Sequence, residues 1–257
     1  MSVFNFFNKS TKKESKDLQS VQPTQPASFT QSTQTAQPAP TDKPKTDPTD
    51  AKRVHNLIIV DESGSKGCIY YPALTGINET LQTIRGAQME HENQDHTVTL
   101  VTYSTVRYNE LYANTPAEET GEILQSQYRP AGCTPLYDAM GRSISELRQK
   151  VEKGDVVLVT VITDGYENDS HEYNGAMIKA LIEELKGEGW VFTYIGANQN
   201  VEEVAASMSI DNHLEFEEDA EGAKAMFEKE RQSRLKFCNA LNQDLSISDL
   251  SKDYFNR

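Results

Sequence analysis

The sequence predicts an α/β fold: a doubly wound, mostly parallel sheet with one antiparallel edge strand, preceded by a disordered N-terminal tail. Strand-like apolar runs alternate with amphipathic helix patterns over residues 53–238, which is typical of crossover units around a parallel sheet. Two strand patterns follow each other too closely for a crossover, so that pair must be antiparallel. Residues 1–52 hold six of the ten prolines and almost no aliphatic residues, so they cannot bury a core.

The first half of the domain opens with the apolar strand 54–60. Apolar residues then recur at three- and four-residue steps over 73–89, which predicts an amphipathic helix. Residues 97–103 and 107–112 are the two closely spaced strand patterns. They supply the antiparallel edge.

The second half continues the alternation of helices and strands. A helix is expected over 135–151, with Thr134 as its N-cap, followed by a buried strand over 156–163. Asp169 or Ser170 is expected to cap the next helix, and Trp190 is expected to pack at the sheet end. The remaining predicted elements are helices 172–186, 201–207 and 220–241 and strands 191–195 and 213–216.

Three segments divide the chain. Residues 1–52 are a low-complexity tail that begins with a short apolar stretch, Met1 to Asn8, and residues 53–241 form the domain. The apolar stretch is either a docking peptide or part of the disordered end. Residues 242–257 are a C-terminal tail, either loose or folded into a short docking helix.

Charge argues against nucleic acid as a partner. The net charge is −14, and the seven lysines and five acids of residues 1–52 leave −16 on the remainder. Such an acidic surface repels phosphate backbones. We therefore expect no nucleic acid to bind the domain.

The compartment is predicted from cysteines and from hydropathy. Cys68, Cys133 and Cys238 form an odd set without paired spacing, which fits a reducing compartment. No stretch approaches the roughly 20 apolar residues of a membrane span, and the N-terminus lacks the order of charges of a secretory signal. A cytoplasmic protein without a transmembrane segment is expected.

Oxygen-bearing side chains cluster just beyond the carboxyl ends of two predicted strands. Asp61, Ser63 and Ser65 come directly after the first strand, and Asp164 follows a later one. Thr134 lies in a loop that leads into a helix. In an open parallel sheet, ligands gather where the loops after the strands converge. We therefore expect these three segments to present their oxygens to one crevice.

This donor set favours a small, hard divalent cation. Hydroxyls and carboxylates suit Mg²⁺, which also keeps some water in a near-octahedral shell, and Mn²⁺ would fit as well. Zinc is a poor candidate because it favours nitrogen and sulfur, and Cys133 is the one such residue in the set. Alternatively, the serines cap the next helix and Asp164 starts a turn, which leaves the coincidence of three segments unexplained.

The residues resemble the von Willebrand factor A domains of the bacterial intracellular type. The metal-ion-dependent adhesion site of that family reads Asp-x-Ser-x-Ser, then a distant Thr and a distant Asp, and all five positions are filled here in order. The likeness covers residues 53–215. It implies that Ser63, Ser65 and Thr134 are direct ligands of Mg²⁺, while Asp61 and Asp164 hold coordinated waters.

One position departs from the family pattern. Lys66 follows the second serine, where an apolar residue, often Met, is usual. An ammonium at this point would either weaken cation binding or help to hold an acidic ligand. The sequence leaves both interpretations open.

The function expected from these residues is a non-catalytic protein-interaction module. An exposed Asp or Glu of a protein partner would complete the shell of the cation. One alternative is a Mg²⁺-dependent hydrolase or phosphatase with Asp61 as nucleophile, although Ser63 stands where an aspartyl phosphatase would have a second Asp. Another is a metal-free scaffold that recruits through its N-terminal peptide. The histidines are interpreted as ordinary surface residues: His55, His91, His96 and His171.

Overall fold

The computed structural model describes residues 51–243 and 247–256, and the side chains of Lys66, Cys68 and Ser248 lie outside this description. The predicted tail, apart from its last two residues, therefore also lies outside the described residues. No helix within the described ranges combines the length and the apolar composition of a membrane span.

The described residues form one sheet with the strand order β3-β2-β1-β4-β5-β6. Neighbouring strands are parallel except for β2 and β3, which pair antiparallel. This confirms the predicted α/β fold with its antiparallel edge strand. The strands are β1 (Lys52–Asp61), β2 (Gln94–Tyr103), β3 (Tyr108–Pro116), β4 (Val156–Thr163), β5 (Trp190–Gly196) and β6 (Asn212–Glu215).

Helices cover both faces of the sheet. Buried side chains of α1, α5 and α6 form one apolar cluster with the sheet, and those of α2, α3 and α4 form the other. Trp190 packs in the second cluster, as predicted. The described helices are α1 (Tyr70–Glu90), α2 (Leu136–Arg148), α3 (Gly175–Gly187), α4 (Val201–Ser207), α5 (Ala220–Leu241) and α6 (Ile247–Leu250), with short 3-10 helices at Gly64–Ile69 and Ala117–Glu119.

Two predicted helix caps are wrong. The N-cap of α2 is Pro135 rather than Thr134, because the backbone N–H and C=O of Thr134 are both bonded to Asn168 in a loop pairing. Neither Asp169 nor Ser170 caps α3, which begins later, with Asn174 as its cap. The Asp138 carboxylate accepts the backbone N–H groups of residues 171–173 and so holds them outside the helix.

The described part of the C-terminal segment packs against α5. Tyr254 is 1% exposed, its ring centroid lies 5.9 Å from that of Phe237, and its hydroxyl lies 3.4 Å from Glu230 Oε1. Phe255 is buried beside it. Residues 247–256 therefore contribute to the core, while the division of the chain into domain and tails stays a prediction.

Polar side chains form a buried network between α5 and the sheet. Arg234, fully buried, donates to Asn56 Oδ1 at 2.7 Å, to Thr160 Oγ1 at 2.9 Å and to Glu230 Oε1 at 2.8 Å. The amide of Asn56 in turn lies 3.4 Å from His96 Nδ1. The network supplies hydrogen bonds and a counter-charge to the buried Arg234 guanidinium. Without them, its desolvation would strongly destabilise the fold.

The interpretation of these four histidines as surface residues is wrong for His55 and His96, which are fully buried. His55 Nε2 pairs with Asp155 Oδ2 at 2.9 Å. His96 Nε2 lies 2.9 Å from Gln94 Oε1. Asp155 lies a hundred residues from His55 in sequence, and the Asn56 amide that approaches His96 Nδ1 lies forty residues away. No local pattern therefore distinguished these two histidines from exposed ones.

We expect His96 to make stability depend on pH. Burial, then the positive charge of Arg234 and the neighbouring His91, lower its pKa from 6.5 to about 4. As pH falls from 6.5 to 4, the unfolded chain takes up a proton that the folded chain refuses, so the free energy of unfolding falls by up to about 3 kcal/mol. The free energy of unfolding, measured by urea denaturation at several pH values in this range, should fall less steeply with falling pH in His96→Gln than in the wild type. The exposed control His171→Gln should keep the pH dependence of the wild type.

A second prediction concerns the contact between α1 and α5. A Cβ built on Gly76 would overlap the ring of Phe227, whereas one built on Gly86 of the same helix would meet nothing within 4 Å. Gly76→Ala should therefore lower the free energy of unfolding by about 1–3 kcal/mol through overpacking. Gly86→Ala should raise it by up to about 1 kcal/mol through helix propensity. Equal effects of the two substitutions in urea denaturation would contradict this packing.

The order of the strands places a switch point between β1 and β4. From β1 the chain passes to β2 on one side, and after β3 it returns to β4 on the other side. Crevices at such points, beyond the carboxyl ends of the strands, are where ligands bind in open α/β sheets. Val60 of β1 lies in register with Ile162 of β4, which brings the ends of these strands to one level.

Candidate metal centre

The end of β1 fixes the carboxylate of Asp61. This side chain is fully buried. Its Oδ1 accepts from the backbone N–H of Ser63 at 2.8 Å, and its Oδ2 accepts from Thr163 Oγ1 at 2.7 Å. Thr163 is the last residue of β4. The Asp61 carboxylate therefore joins the carboxyl ends of the two central strands, where the loops begin.

The two serines and the second aspartate form a chain of oxygens. Ser63 Oγ lies 3.1 Å from Ser65 Oγ, and Ser65 Oγ donates to Asp164 Oδ1 at 2.9 Å. Asp164 is 2% exposed. Side chains that are about a hundred residues apart in sequence thus come within hydrogen-bond distance.

Thr134 joins this cluster from the loop before α2. Its backbone N–H donates to Asn168 Oδ1 at 2.8 Å, and its C=O accepts from the N–H of Asn168 at 3.2 Å. A Cβ built on Gly165 would lie 3.6 Å from Thr134 Oγ1, so the hydroxyl borders the residue after Asp164. All five side chains predicted as metal ligands are therefore located at the same crevice.

Glu62 is a further residue of the site that the sequence did not indicate. Its side chain is fully buried, and its Oε1 accepts from the backbone N–H of Arg129 and lies 3.4 Å from Nη1 of Arg107. Its backbone N–H donates to Tyr103 O at 2.7 Å, and its C=O accepts from the N–H of Ala131 at 2.9 Å. We call these contacts the Glu62 clamp. The clamp fastens the β2–β3 turn and the 129–134 loop to the end of β1.

The surroundings of the centre carry negative charge. Tyr128, buried beneath it, donates its hydroxyl to Asp61 O at 3.1 Å. Burial, followed by the negative charges of Asp61, Asp164 and Glu62, holds the pKa of the Tyr128 phenol well above its ordinary value. Buried carboxylates at this density favour a cation as their counter-charge.

The loop after β4 is ordered by two carboxylates. Glu167 accepts from the backbone N–H groups of Asp169, Ser170 and Tyr137. Although burial disfavours the charged form of Asp138, hydrogen bonds from the backbone of residues 171–173 hold its pKa below the ordinary value. These contacts fix the loop that carries Asp164 against the start of α2.

The donor set fits a hard divalent cation. It consists of hydroxyl and carboxylate oxygens, the ligands that Mg²⁺ and Mn²⁺ prefer. Within residues 51–243 and 247–256, no group of three or more His, Cys, Asp and Glu side chains is placed to hold a metal. The predicted site differs from such a group, because three of its five members are the hydroxyl residues Ser63, Ser65 and Thr134. The side chain of Lys66, the departure from the family pattern, lies outside the described residues.

Comparison with known proteins shows the fold and no more. No family model matches the chain, and no curated protein matches it. The PilB minor pilin of Streptococcus sanguinis is similar in structure, with a TM-score of 0.52 at 12% identity over 72% of this chain and 61% of the pilin. The pilus adhesin SpaC of Lactobacillus rhamnosus GG has a TM-score of 0.51 at 12% identity over 73% of this chain and 30% of the adhesin.

A third similar structure is the vWF domain of the type V pili tip protein Mfa5 of Porphyromonas gingivalis. Its TM-score is 0.50 at 8% identity, over 72% of this chain and 96% of that domain. The chain thus spans under two thirds of the pilin and of SpaC and nearly all of the Mfa5 domain. The predicted von Willebrand factor A-like fold is confirmed. At such low identity, the likeness carries no information on ligands.

Proposed function

We propose that this chain is a non-catalytic protein-interaction module that binds an acidic side chain of a partner through Mg²⁺ held at the candidate metal centre. The supporting observation is the meeting of the Ser63, Ser65 and Thr134 hydroxyls with the buried Asp61 and Asp164 carboxylates at the switch point of the sheet. The structurally similar pilin, adhesin and pilus-tip proteins agree with an interaction module as the coarse class.

In the proposed centre the hydroxyls of Ser63, Ser65 and Thr134 would hold the cation directly, and Asp61 and Asp164 would act through water. Neutral direct ligands leave much of the positive charge on the ion, which then supplies a Lewis-acidic position for a partner's carboxylate. Mn²⁺ has the same ligand preferences. Loops around the centre supply the specificity, because one carboxylate says little about a partner's identity.

The runner-up function is a Mg²⁺-dependent phosphatase with Asp61 as nucleophile. The position of this carboxylate disfavours it, because both oxygens accept short hydrogen bonds and the side chain is fully buried. A nucleophile needs an oxygen that can reach the substrate. Release of phosphate from a generic phosphoester, lost in Asp61→Asn, would favour the enzyme instead.

The third candidate is a scaffold that recruits through residues 1–52, which lie mostly outside the described residues. A synthetic peptide of this segment, added in excess, would block partner capture under that hypothesis, with or without metal. Under our proposal the peptide has no effect on partner capture, and capture depends on the metal alone. We also propose a cytoplasmic location. The free thiols of Cys133 and Cys238 support it, because they fit a reducing compartment.

The proposal is tested by affinity capture of partners from native cells on the immobilised full-length chain. Capture should require Mg²⁺, stop in EDTA and return when Mg²⁺ is restored. Calorimetry should show uptake of Mg²⁺ or Mn²⁺ by the chain alone. Undiminished capture in EDTA together with no measurable uptake of either ion would refute the metal-dependent function.

A further inference from the structure

A cavity of about 290 Å³ lies beside the candidate metal centre, between the β2–β3 turn and the start of α2. We call it the arginine cavity. Its lining includes Ser104, Arg107 and Tyr108 from the turn and strand, and Pro135 and Arg142 from the α2 side. A larger cavity, of about 680 Å³, is lined by residues at the start of β5 and β6. It lies at the amino ends of the strands, whereas the metal centre lies at the carboxyl ends.

The arginine cavity and the metal centre share one wall. The backbone N–H of Thr105 donates to Cys133 O at 3.1 Å, and Thr105 Oγ1 accepts from the N–H of Cys133 at 2.9 Å. Thr134, a proposed ligand, follows Cys133 and precedes Pro135 of the cavity lining. Because the cavity lining begins at the residue after Thr134, we expect a short peptide segment bound at the centre to place a neighbouring side chain in the cavity.

Arg107 provides N–H donors in the cavity that are not used in hydrogen bonds to the described residues. Its side chain is 30% exposed, and its guanidinium makes one hydrogen bond to the described residues, at 3.4 Å to Glu62 Oε1. A guanidinium carries five N–H donors in a planar fork that matches a carboxylate. Most of these donors are therefore available to a ligand.

The other charged groups of the lining already have partners. Arg142 makes a two-pronged contact with Glu172 and lies over the ring of Tyr108. The Asp138 carboxylate accepts three backbone N–H groups, and Asp169 lies 3.5 Å from Nε2 of His171. Arg107 is thus the charged group of the cavity with the most unused donors.

A buried hydroxyl supports a polar occupant. Ser104 is 5% exposed and lines the cavity, and its Oγ has no hydrogen-bond partner among the described residues. An unsatisfied buried hydroxyl costs stability unless a ligand or water completes it. This oxygen has almost no solvent-accessible surface, so a carboxylate that enters beside Arg107 would reach it only after the Ser104 side chain turns toward the cavity.

We propose that the arginine cavity receives a second acidic side chain of the same partner segment, so that the partner presents two carboxylates, one for the cation and one for Arg107. This inference rests on the proposed function of the metal centre. It narrows the partner from any exposed acid to a segment with two acids close in sequence. The net negative charge of residues 53–257 disfavours a general attraction of such a segment to the rest of the surface.

The test uses a displayed peptide library with one fixed central Asp and varied flanking positions. The library is selected on the immobilised full-length chain in Mg²⁺ and eluted with EDTA. We expect Glu or Asp to be enriched at one flanking position. A peptide with both acids should bind about tenfold more tightly than its counterpart with the second acid replaced by its amide, as expected for a charge-assisted contact.

Arg107→Gln should reduce this affinity ratio to about one, and Arg107→Lys, which keeps the charge, should retain part of it. Arg129→Gln is the matched control, because it removes the same charge from an exposed residue outside the cavity lining. The ratio compares two peptides on one variant, so a general loss of binding does not mimic the result.

The outcomes separate the two proposals. EDTA elution without enrichment of a second acid, or an affinity ratio that survives in Arg107→Gln, overturns the role of the cavity and leaves the metal centre standing. Enrichment of apolar side chains at the flanking positions likewise overturns it. If EDTA releases no peptides from the wild-type chain, the proposed function fails, and the cavity proposal fails with it.

Discussion

Replacing Thr134 with alanine is expected to abolish the uptake of Mg²⁺ and the capture of partners while the fold remains intact. Loss of a residue that only supports a ligand costs about 10–100-fold in metal affinity, so loss of a direct ligand should cost at least about 100-fold. The Thr134 hydroxyl makes no hydrogen bond to the described residues, and the bonds to Asn168 use its backbone. Calorimetry with Mg²⁺ measures the loss, and urea denaturation checks the fold.

Thr134→Ser is the matched control for this prediction. It keeps the hydroxyl and removes only a methyl group, so it should bind Mg²⁺ nearly as well as the wild type. Ser63→Ala should behave like Thr134→Ala. If the alanine variants take up Mg²⁺ with wild-type affinity, these hydroxyls are not ligands and the proposed centre is wrong.

Replacing Arg234 with methionine should produce the largest loss of stability, about 3–5 kcal/mol, because it leaves the Glu230 carboxylate buried without its counter-charge. Both side chains are almost fully buried, with 0% and 1% exposed. The change also removes the donors to Asn56 and Thr160. The free energy of unfolding in urea gives the value.

The same helix offers a control. Arg231 pairs with Glu228 on the exposed side of α5, and exposed pairs contribute about 0–1 kcal/mol. Arg231→Met should therefore change stability little. The double variant Arg234→Met with Glu230→Met should regain part of the loss, because the uncompensated charge is gone. If Arg234→Met and Arg231→Met lower the free energy of unfolding by similar amounts, burial of the Arg234 pair does not determine its contribution.

The sheet could be predicted because its central strands are buried on both faces. Such strands are nearly continuous apolar runs, and the patterns over 54–60 and 156–163 lie within β1 and β4 as observed. The long helix α5 also matches its expected limits. The start of α3 was harder to predict, because the carboxylate of Asp138, from the preceding helix, holds residues 171–173 outside α3.

The candidate site divides in the same way. Asp61, Ser63, Ser65, Thr134 and Asp164 could be placed at one edge because strand ends and loops follow from the alternation of elements. Glu62 could not, because it occupies a variable position of the motif and its partners come from two distant loops. The arginine cavity likewise depends on how the β2–β3 turn meets α2, and no local pattern encodes that contact.

The Glu62 clamp has a consequence for how a ligand is captured. Since one carboxylate fastens two loops to β1, those loops lose their conformational freedom when the chain folds, not when the cation arrives. Binding therefore has little ordering entropy to overcome, and preorganisation of this kind strengthens affinity without adding a single contact. We therefore expect the two fastened loops to change little when the crevice takes up its ligand.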